Sequence, residues 1–248
     1  MQSPRAAELS ERLSAVHRRI DRAVSDGGRT DRPELIVVTK YFPADDLRIL
    51  AGLGVTTMGE SRDQEAAAKA LELEDLGLQW HFIGQLQTNK ARSVARYAEA
   101  VHSVDRASLI RALGKAAATE RAGSDQEPAP DLSCFIQVDL ATADGGAASI
   151  SGHQRGGAAP ADVVALGRLI DGTGGLALAG VMAVAPLGSD PAEAFGRLAH
   201  ISRSLQAEFP AASGISAGMS GDLEAAVAAG ATHLRIGSQV LGDRPPLR

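Results

Sequence analysis

The chain has 248 residues and a formal net charge of −5, and 44% of its residues are hydrophobic but only 3% are aromatic. A chain of this length and composition can bury one large α/β core without disulfides or a structural metal. The acidic balance disfavours nucleic acids and anionic membranes as partners, and the scarcity of aromatic residues disfavours a protein that stacks single-stranded bases.

The N-terminal segment predicts an amphipathic helix. Apolar residues recur at helical spacing from Leu9 to Val24, and Ser3 before Pro4 is a typical helix start. The segment is charged throughout and lacks the apolar run of a secretory leader. No later run approaches the roughly 18 apolar residues of a membrane span. Because Cys134 is also the single cysteine, we expect a cytoplasmic protein without disulfides.

Eight short apolar runs follow, and amphipathic stretches separate them. The predicted strands are Leu35–Thr39, Val55–Met58, Trp80–Ile83, Ala100–Val104, Ser133–Leu140, Leu176–Val184, Gly214–Ala217 and His233–Ile236. The predicted helices are Ala44–Leu53, Arg62–Leu73, Thr88–Tyr97, Ala107–Arg121, Ala161–Ile170, Pro191–Phe209 and Asp222–Ala229. This eightfold alternation, at about 31 residues per repeat, predicts a (β/α)₈ TIM barrel with an extra helix at its N-terminus.

An open, doubly wound sheet is the alternative architecture. It normally carries a glycine-rich turn after its first strand, whereas Thr39–Pro43 contains no glycine. Two segments, Gly123–Asp131 and Ala141–Ala159, are rich in small residues or proline and predict loops. Neither has the character of a domain linker, so residues 1–248 are predicted to form a single domain.

Lys40 is the first candidate functional residue, since function in a barrel lies at the carboxyl ends of the strands. It follows the apolar first strand, whereas Lys69, Lys90 and Lys115 fall in helical runs where a solvated ammonium is expected. A lysine amine sheltered in the barrel mouth can form a Schiff base with a carbonyl compound. A lysine that extends to the solvent at the rim is the alternative.

Two loops near the C-terminus predict an anion site. Ser216-Ala217-Gly218-Met219-Ser220 follows the seventh strand, and Gly237-Ser238 follows the eighth. Glycine lets the backbone approach a ligand closely, and hydroxyls and backbone amides donate hydrogen bonds to phosphate. Barrels often bind phosphate with the loops after these two strands. A simple helix cap at Ser220 or Asp222 is the alternative.

Arg235 and His81 lie inside predicted strands. The guanidinium of Arg235 is expected to point inward towards a ligand, with a surface ion pair as the alternative. A lone histidine within a strand is more often a satisfied core residue than a catalyst, and we expect this of His81. The six histidines show no metal-binding spacing, so no metal site is predicted.

Taken together, these segments resemble the pyridoxal phosphate homeostasis protein family, also called the YggS/PROSC family of PLP-binding proteins. The matching segments are Val37–Lys40, Gly59–Glu65, Trp80–Lys90, Ser103–Arg106, Gly218–Asp222 and Arg235–Ser238. They occur in family order and span nearly the whole chain, and Trp80–Lys90 is the most specific of them. The resemblance implies a barrel similar to the N-terminal domain of alanine racemase, with pyridoxal 5′-phosphate (PLP) as cofactor.

The resemblance also implies roles for individual residues. Lys40 would hold PLP as a Schiff base, and Arg235 would face the pyridine nitrogen. The phosphate would be bound by the loops at Ser216–Ser220 and Gly237-Ser238. The full set of expected cofactor-binding residues is Lys40, Ser61, His81, Ser216, Gly218, Met219, Ser220, Arg235, Gly237 and Ser238.

Three departures from the family pattern stand out. The family usually has asparagine where this chain has Ser61, so the resemblance does not imply the polar contact that asparagine makes beside the ring. It usually has threonine at Ser238, where serine keeps the hydroxyl. After the fifth strand it has a short loop with a Lys-x-Gly element, whose nearest counterpart here is Arg155-Gly156-Gly157 in the longer Ala141–Ala159 loop.

The implied role is to bind and deliver PLP and to keep free PLP balanced, with apo-PLP enzymes as recipients and a monomer as the expected state. We therefore expect a carrier with no catalytic residue. The alternative, a racemase-like enzyme, needs an acid–base group on each face of the cofactor. In the racemases that this barrel resembles, a tyrosine from an additional β-domain supplies the second group. The only tyrosines here are Tyr41 and Tyr97, and we expect the chain, which ends at Arg248, to lack such a domain.

An arginine beside the pyridine nitrogen also disfavours the protonated ring that carbanion chemistry uses, because a guanidinium donates and cannot accept a proton. Arginine is nevertheless compatible with racemisation. In a third reading, the barrel binds another phosphorylated metabolite and Lys40 supplies only a positive charge.

Overall fold

The computed structural model describes residues 3–120, 131–141 and 156–243. Eight parallel strands close into a barrel in chain order, and the first strand pairs with the last. The strands are β1 (Glu34–Val38), β2 (Thr57–Glu60), β3 (Gln79–Phe82), β4 (Ala98–Val104), β5 (Leu132–Gln137), β6 (Leu176–Met182), β7 (Gly214–Ser216) and β8 (His233–Ile236). The predicted (β/α)₈ barrel is confirmed.

Helices surround the barrel. They are α1 (Pro4–Asp26), α2 (Ala44–Gly52), α3 (Asp63–Glu72), α4 (Ala91–Tyr97), α5 (Ala107–Glu120), α6 (Val163–Asp171), α7 (Pro191–Gln206), α8 (Leu223–Ala228) and α9 (Ser238–Leu241), with short 3₁₀ turns at Glu74–Leu76, Thr88–Lys90 and Pro160–Asp162. The extra N-terminal helix is α1, and it packs against α2, α8 and α9. In the described part of the chain, no helix is long and apolar enough to cross a membrane.

Differences from the predicted boundaries have local causes. β2 begins at Thr57 rather than Val55, because the amide of Val55 donates to the carbonyl of Leu50 and caps α2 instead of joining the sheet. β5 ends at Gln137, and the next residue, Val138, forms only an isolated bridge with Ala158. Helix α9 was not predicted. Most of the two predicted loops, at 121–130 and 142–155, lies outside the described residues.

The strand register divides the side chains between two layers. Ile36 pairs with Arg235, and Gly59 pairs with His81, so these residues share the face that points into the barrel. Val37 and Ile236 share the opposite face and pack in the main core between sheet and helices. Inside the barrel, the buried apolar cluster is small and consists of Ala100, Phe135 and Met182. The barrel axis therefore contains an unusual share of polar side chains.

Candidate functional site

Lys40 lies in the tight turn that follows β1, and it is half-buried. The turn closes with a hydrogen bond of 3.1 Å from the amide of Phe42 to the carbonyl of Thr39. Tyr41 has a φ of 73°, in the left-handed region that residues other than glycine rarely adopt. Such a conformation costs about 1–2 kcal/mol, so the surrounding contacts must hold it.

Lys69, on α3, supplies part of that support. Its Nζ donates to the carbonyl oxygen of Thr39 at 2.9 Å, to Glu60 at 2.7 Å and to Glu65 at 2.6 Å. The Lys69 side chain is only 8% exposed, so the prediction of a solvated ammonium at this position is wrong. Two carboxylates compensate the charge, one at the end of β2 and one a helical turn earlier in α3.

The same ion cluster fixes the backbone on both sides of Lys40. On the N-terminal side, the hydroxyl of Thr39 donates to Glu60 Oε1 at 2.8 Å. On the C-terminal side, the amide of Tyr41 donates to Glu65 Oε1 at 2.6 Å. Burial raises the pKa of Glu60 above its ordinary value, and the neighbouring ammonium opposes this. The cluster thus determines where the Lys40 side chain leaves the barrel wall.

The loops after β7 and β8 meet at the carboxyl end of the barrel. The hydroxyl oxygens of Ser220 and Ser238 lie 3.5 Å apart. Gly218 has a φ of 91°, and a Cβ there would come within 2.7 Å of a side-chain carbon in α8. A Cβ at Gly237 would lie 3.2 Å from the carbonyl oxygen of the last β1 residue. Both glycines are therefore needed for the close approach of these segments.

Neighbouring residues hold the β7 loop in place. The carbonyl of Ser220 accepts hydrogen bonds from Arg19 of α1 at 2.9 Å and from Gln239 at 3.0 Å. The amide of Met219 donates to the carboxylate of Asp222 at 2.6 Å, and Met219 as a whole is 38% exposed. Asp222 is the N-cap residue of α8, but its side chain does not cap the helix. The carboxylate of Asp222 accepts from the amide of Met219 instead.

Arg235 points into the barrel and is 4% exposed. It donates to the hydroxyl of Ser216 at 2.7 Å and to the carbonyl of Ala183 at 2.9 Å. Burial lowers the pKa of Arg235 to about 10. No carboxylate forms an ion pair with it among the residues that the structure describes, which contradicts the alternative of a surface ion pair. A buried guanidinium with two neutral partners still has N–H groups that can donate to a ligand.

Ser216 does not lie with Ser220 and Ser238 at the carboxyl end of the barrel, because its side chain points into the barrel interior. Its side chain is fully buried, accepts a hydrogen bond from Arg235, and lies 2.8 Å from Nδ1 of His102. The prediction that its hydroxyl binds phosphate does not fit this orientation. The reason is the alternation of β7, which turns Ser216 towards the barrel interior, where its register partner Met182 also lies.

His81 also lies inside the barrel, 3.1 Å from His102 through its Nδ1 atom. Sequence reasoning missed His102, which is fully buried on β4 and stacks on Phe135 at a centroid distance of 4.3 Å. Burial lowers the pKa of both imidazoles, so both are neutral at pH 7. His81 is buried and hydrogen bonded as a core histidine, and it lies deeper than the serines of the two loops.

Ser61 follows β2 at the carboxyl end of the barrel, and a Cβ at Gly84 would lie 2.3 Å from its carbonyl oxygen. Ser61 lines a pocket of about 590 Å³ together with Arg62 and residues of the Trp80–Lys90 motif. The guanidinium of Arg62 lies 4.8 Å from the centre of the Tyr41 ring. The most specific motif of the sequence therefore forms β3 and a wall beside the Lys40 turn.

Comparisons with known proteins agree with this architecture. The alanine racemase N-terminal domain family matches residues 13–245. The pyridoxal phosphate homeostasis protein of Corynebacterium glutamicum is 42% identical over 228 residues, which cover 92% of this chain and 98% of that protein. The protein of the same name from Mycobacterium tuberculosis is 40% identical over 254 residues, covering 97% and 94% of the two chains.

Solved structures give the same result. PipY of Synechococcus elongatus, determined with PLP bound, superimposes with a TM-score of 0.75 at 30% identity, over 94% of this chain and all of that chain. Alanine racemase from Corynebacterium glutamicum has a TM-score of 0.61 at 15% identity, over 98% of this chain and 63% of the racemase, and shows the fold alone. The chain belongs to the pyridoxal phosphate homeostasis proteins, within the alanine racemase N-terminal domain family.

Proposed function

We propose that this protein binds PLP at the carboxyl end of its barrel, attaches it to Lys40, and carries it for delivery to other proteins. The observation that supports this best is the combination of three features in one half of the barrel. These are a held lysine, two glycine–serine loops, and the buried Arg235 without an anionic partner in the described ranges. Relatives named for pyridoxal phosphate homeostasis and the PLP-bound structure of PipY support the same ligand.

The residues present fit PLP. When bound, PLP supplies an aldehyde for a Schiff base and a ring that withdraws electrons most strongly when its nitrogen is protonated. Lys40 would form the Schiff base, and the hydroxyls of Ser220 and Ser238 would bind the phosphate with backbone amides of the same loops. Gly218 and Gly237 would take part through the phosphate-binding loops, which pack closely on α8 and β1 because these residues lack a Cβ. We place Met219 beside it and Ser61 beside the ring.

Arg235 would donate a hydrogen bond to the pyridine nitrogen. A guanidinium has no lone pair to accept a proton, so a pyridine nitrogen beside it would stay unprotonated. We assign Ser216 and His81 to the layer beneath the ring, where they act on Arg235 rather than on the phosphate. This arrangement favours retention of the cofactor over activation of an amino acid.

A carrier role is also supported by the two tyrosines. Racemisation needs a second acid–base group opposite the lysine. Burial raises the pKa of Tyr97, which makes its hydroxyl a poorer acid, and this residue ends α4 in the outer layer. The ring of Tyr41 lies against Arg62, on the side of the ion cluster that holds the turn. We therefore infer PLP homeostasis without turnover, although the fold is shared with racemases.

The wider proposal concerns location and partners. We take residues 1–248 as one PLP-binding domain, since the barrel strands extend from Glu34 to Ile236. We infer a monomer that acts in the cytoplasm, where a single cysteine, Cys134, fits the reducing environment. Apo-PLP enzymes are the recipients that this role requires.

The phosphate site predicts a large difference between PLP and pyridoxal, which lacks the phosphate. Each hydrogen bond to a charged group contributes about 1.5–3 kcal/mol, so two lost bonds should weaken binding by 100-fold or more. Titration followed by absorbance would measure both dissociation constants. Replacing Ser220 and Ser238 together by alanine should reduce the PLP affinity and leave the pyridoxal affinity unchanged. Equal affinities for the two compounds in the unaltered protein would contradict the phosphate site.

The carrier role predicts that bound PLP does not accelerate exchange of the α-proton of amino acids. The loaded protein would be incubated with L-alanine in deuterated water, and α-deuterium would be followed by NMR, with free PLP at equal concentration as the control. We expect exchange no faster than with free PLP. A rate of about 1 s⁻¹ or more, in the ordinary range of enzymes, would overturn the carrier role.

A further inference from the structure

Four buried polar side chains form a continuous hydrogen-bonded series along the barrel axis. Arg235 donates to Ser216 at 2.7 Å, Ser216 lies 2.8 Å from Nδ1 of His102, and His102 Nε2 lies 3.1 Å from Nδ1 of His81. Their exposed fractions are between 0% and 8%. They come from four strands, β8, β7, β4 and β3, so no single local motif produces the arrangement.

The directions of the hydrogen bonds in this series follow from Arg235 and from the hydroxyl hydrogen of Ser216. A guanidinium only donates, so the oxygen of Ser216 accepts from it. Within the described ranges the hydroxyl hydrogen of Ser216 has no partner other than His102 Nδ1, so it is donated there and Nδ1 accepts. This leaves the His102 proton on Nε2, from which it is donated to Nδ1 of His81. His81 in turn carries its own proton on Nε2. The lowered pKa values of both imidazoles agree with one proton on each ring.

The series ends at the opposite mouth of the barrel. A pocket of about 440 Å³ opens at the amino ends of the strands, and its lining includes His81, Glu34, Gln79 and His233. His81 Nε2 has no hydrogen-bond partner within the ranges that the structure describes. The series therefore connects the floor of the cofactor site with a polar pocket on the far side of the barrel.

We propose that His102 and His81 are positioning residues that hold Arg235 in place through Ser216, and that Arg235 in turn fixes one tautomer in each imidazole. This inference rests on the proposed PLP site, since Arg235 is the group it positions. A guanidinium has several donors and a long, flexible stem. Ser216 and the carbonyl of Ala183 accept from Nη1 and Nη2 of Arg235, which leaves its other N–H groups to donate to the cofactor ring.

The first test needs no cofactor. Long-range ¹H–¹⁵N NMR of the unloaded full chain should show a protonated Nε2 and a bare Nδ1 in both His102 and His81. In Ser216→Ala, the link to Arg235 is cut, and the fixed tautomers should give way to a mixture. A protonated Nδ1 at His102 in the original protein, or unchanged tautomers in Ser216→Ala, would overturn the inference whether or not PLP binds.

The second test uses bound PLP. His102→Phe keeps a flat ring on Phe135 but breaks the series, whereas His102→Gln restores both links, because its amide oxygen accepts from Ser216 and its nitrogen donates to His81. We expect a shifted absorption band and about tenfold weaker PLP binding in the phenylalanine variant, with recovery in the glutamine variant. In both variants, borohydride reduction should still fix one pyridoxyl group per chain on Lys40. An unchanged band in His102→Phe would contradict the positioning role, whereas failure of the original protein to bind PLP would instead contradict the proposed function.

Discussion

Borohydride treatment of the PLP-loaded protein should leave one pyridoxyl group on Lys40, and Lys40→Ala should leave none. Reduction fixes a Schiff base to the nitrogen that formed it, so peptide mass mapping identifies the lysine directly. Lys40 is the only one of the four lysines that follows a strand at the carboxyl end of the barrel. Lys69 is buried and paired with two carboxylates, Lys90 forms an ion pair with Asp63 at 3.6 Å, and Lys115 is exposed on α5.

Lys115→Ala is the matched control for this experiment. This variant removes an exposed lysine from helix α5, and borohydride should still fix one pyridoxyl group per chain on Lys40. Lys40→Ala should still bind some PLP without a covalent bond, because the phosphate-binding loops and Arg235 are intact. Labelling that persists in Lys40→Ala, or that is spread over the other three lysines, would contradict the assignment of the attachment site.

The fold could be predicted from the sequence because each repeat carries its own signal. The strand His233–Ile236 matches its predicted bounds at both ends, since turn residues flank it on both sides, whereas the other seven strands differ at one end or both. Predicted strand ends were wrong where a backbone amide forms its hydrogen bond with a different element. Val55 has the composition of a strand residue, yet its amide caps α2 through Leu50. Composition does not report which partner an amide selects.

The site was predictable only in part. Lys40 and the two glycine–serine loops follow strands, and in a barrel such positions converge on one face. His102 was missed because both faces of a parallel strand are buried, so apolar alternation does not show which residues of β4 point into the barrel. Ser216 was misassigned for the same reason. Its place in the β7 loop motif suggested phosphate, but the register turns its side chain towards Arg235.

Lys69 was misjudged for a different reason. Glu65 and Lys69 are four residues apart on α3, which is the ordinary pattern of a solvated helix pair. Here the pair faces the barrel wall, where Glu60 and the carbonyl of Thr39 complete its contacts. Partners that are distant in the chain therefore decide whether such a pair is a surface feature or a buried cluster.

Lys69→Met should lower the free energy of unfolding by about 3–5 kcal/mol at neutral pH, the usual loss when one partner of a buried ion pair is removed. Methionine fills a similar volume, but the Glu60 carboxyl, at 1% exposure, would lose the ammonium that compensates its charge. Urea unfolding would measure the change, with Lys115→Met, on the exposed face of α5, as the control. A loss below about 1 kcal/mol, the range of surface ion pairs, would show that the cluster does not hold the fold.

The pH dependence of this variant has a definite sign. The pKa of Glu60 is already raised by burial, and removing the opposing ammonium raises it further. When the pKa of a carboxyl group is higher in the folded state than in the unfolded state, the folded protein becomes less stable as the pH rises. This loss develops between the pKa of the unfolded state, about 4.3, and the pKa of the folded state. The stability difference between Lys69→Met and the original protein should therefore shrink as the pH falls towards 4.3.

The double variant Lys69→Met with Glu60→Gln, which replaces the charge by a neutral amide, should recover part of the lost stability at pH 7 and be less sensitive to pH. If the double variant is as unstable as Lys69→Met, Glu60 is not the origin of the loss, and the contacts of Lys69 with Glu65 and with the Thr39 carbonyl must account for it.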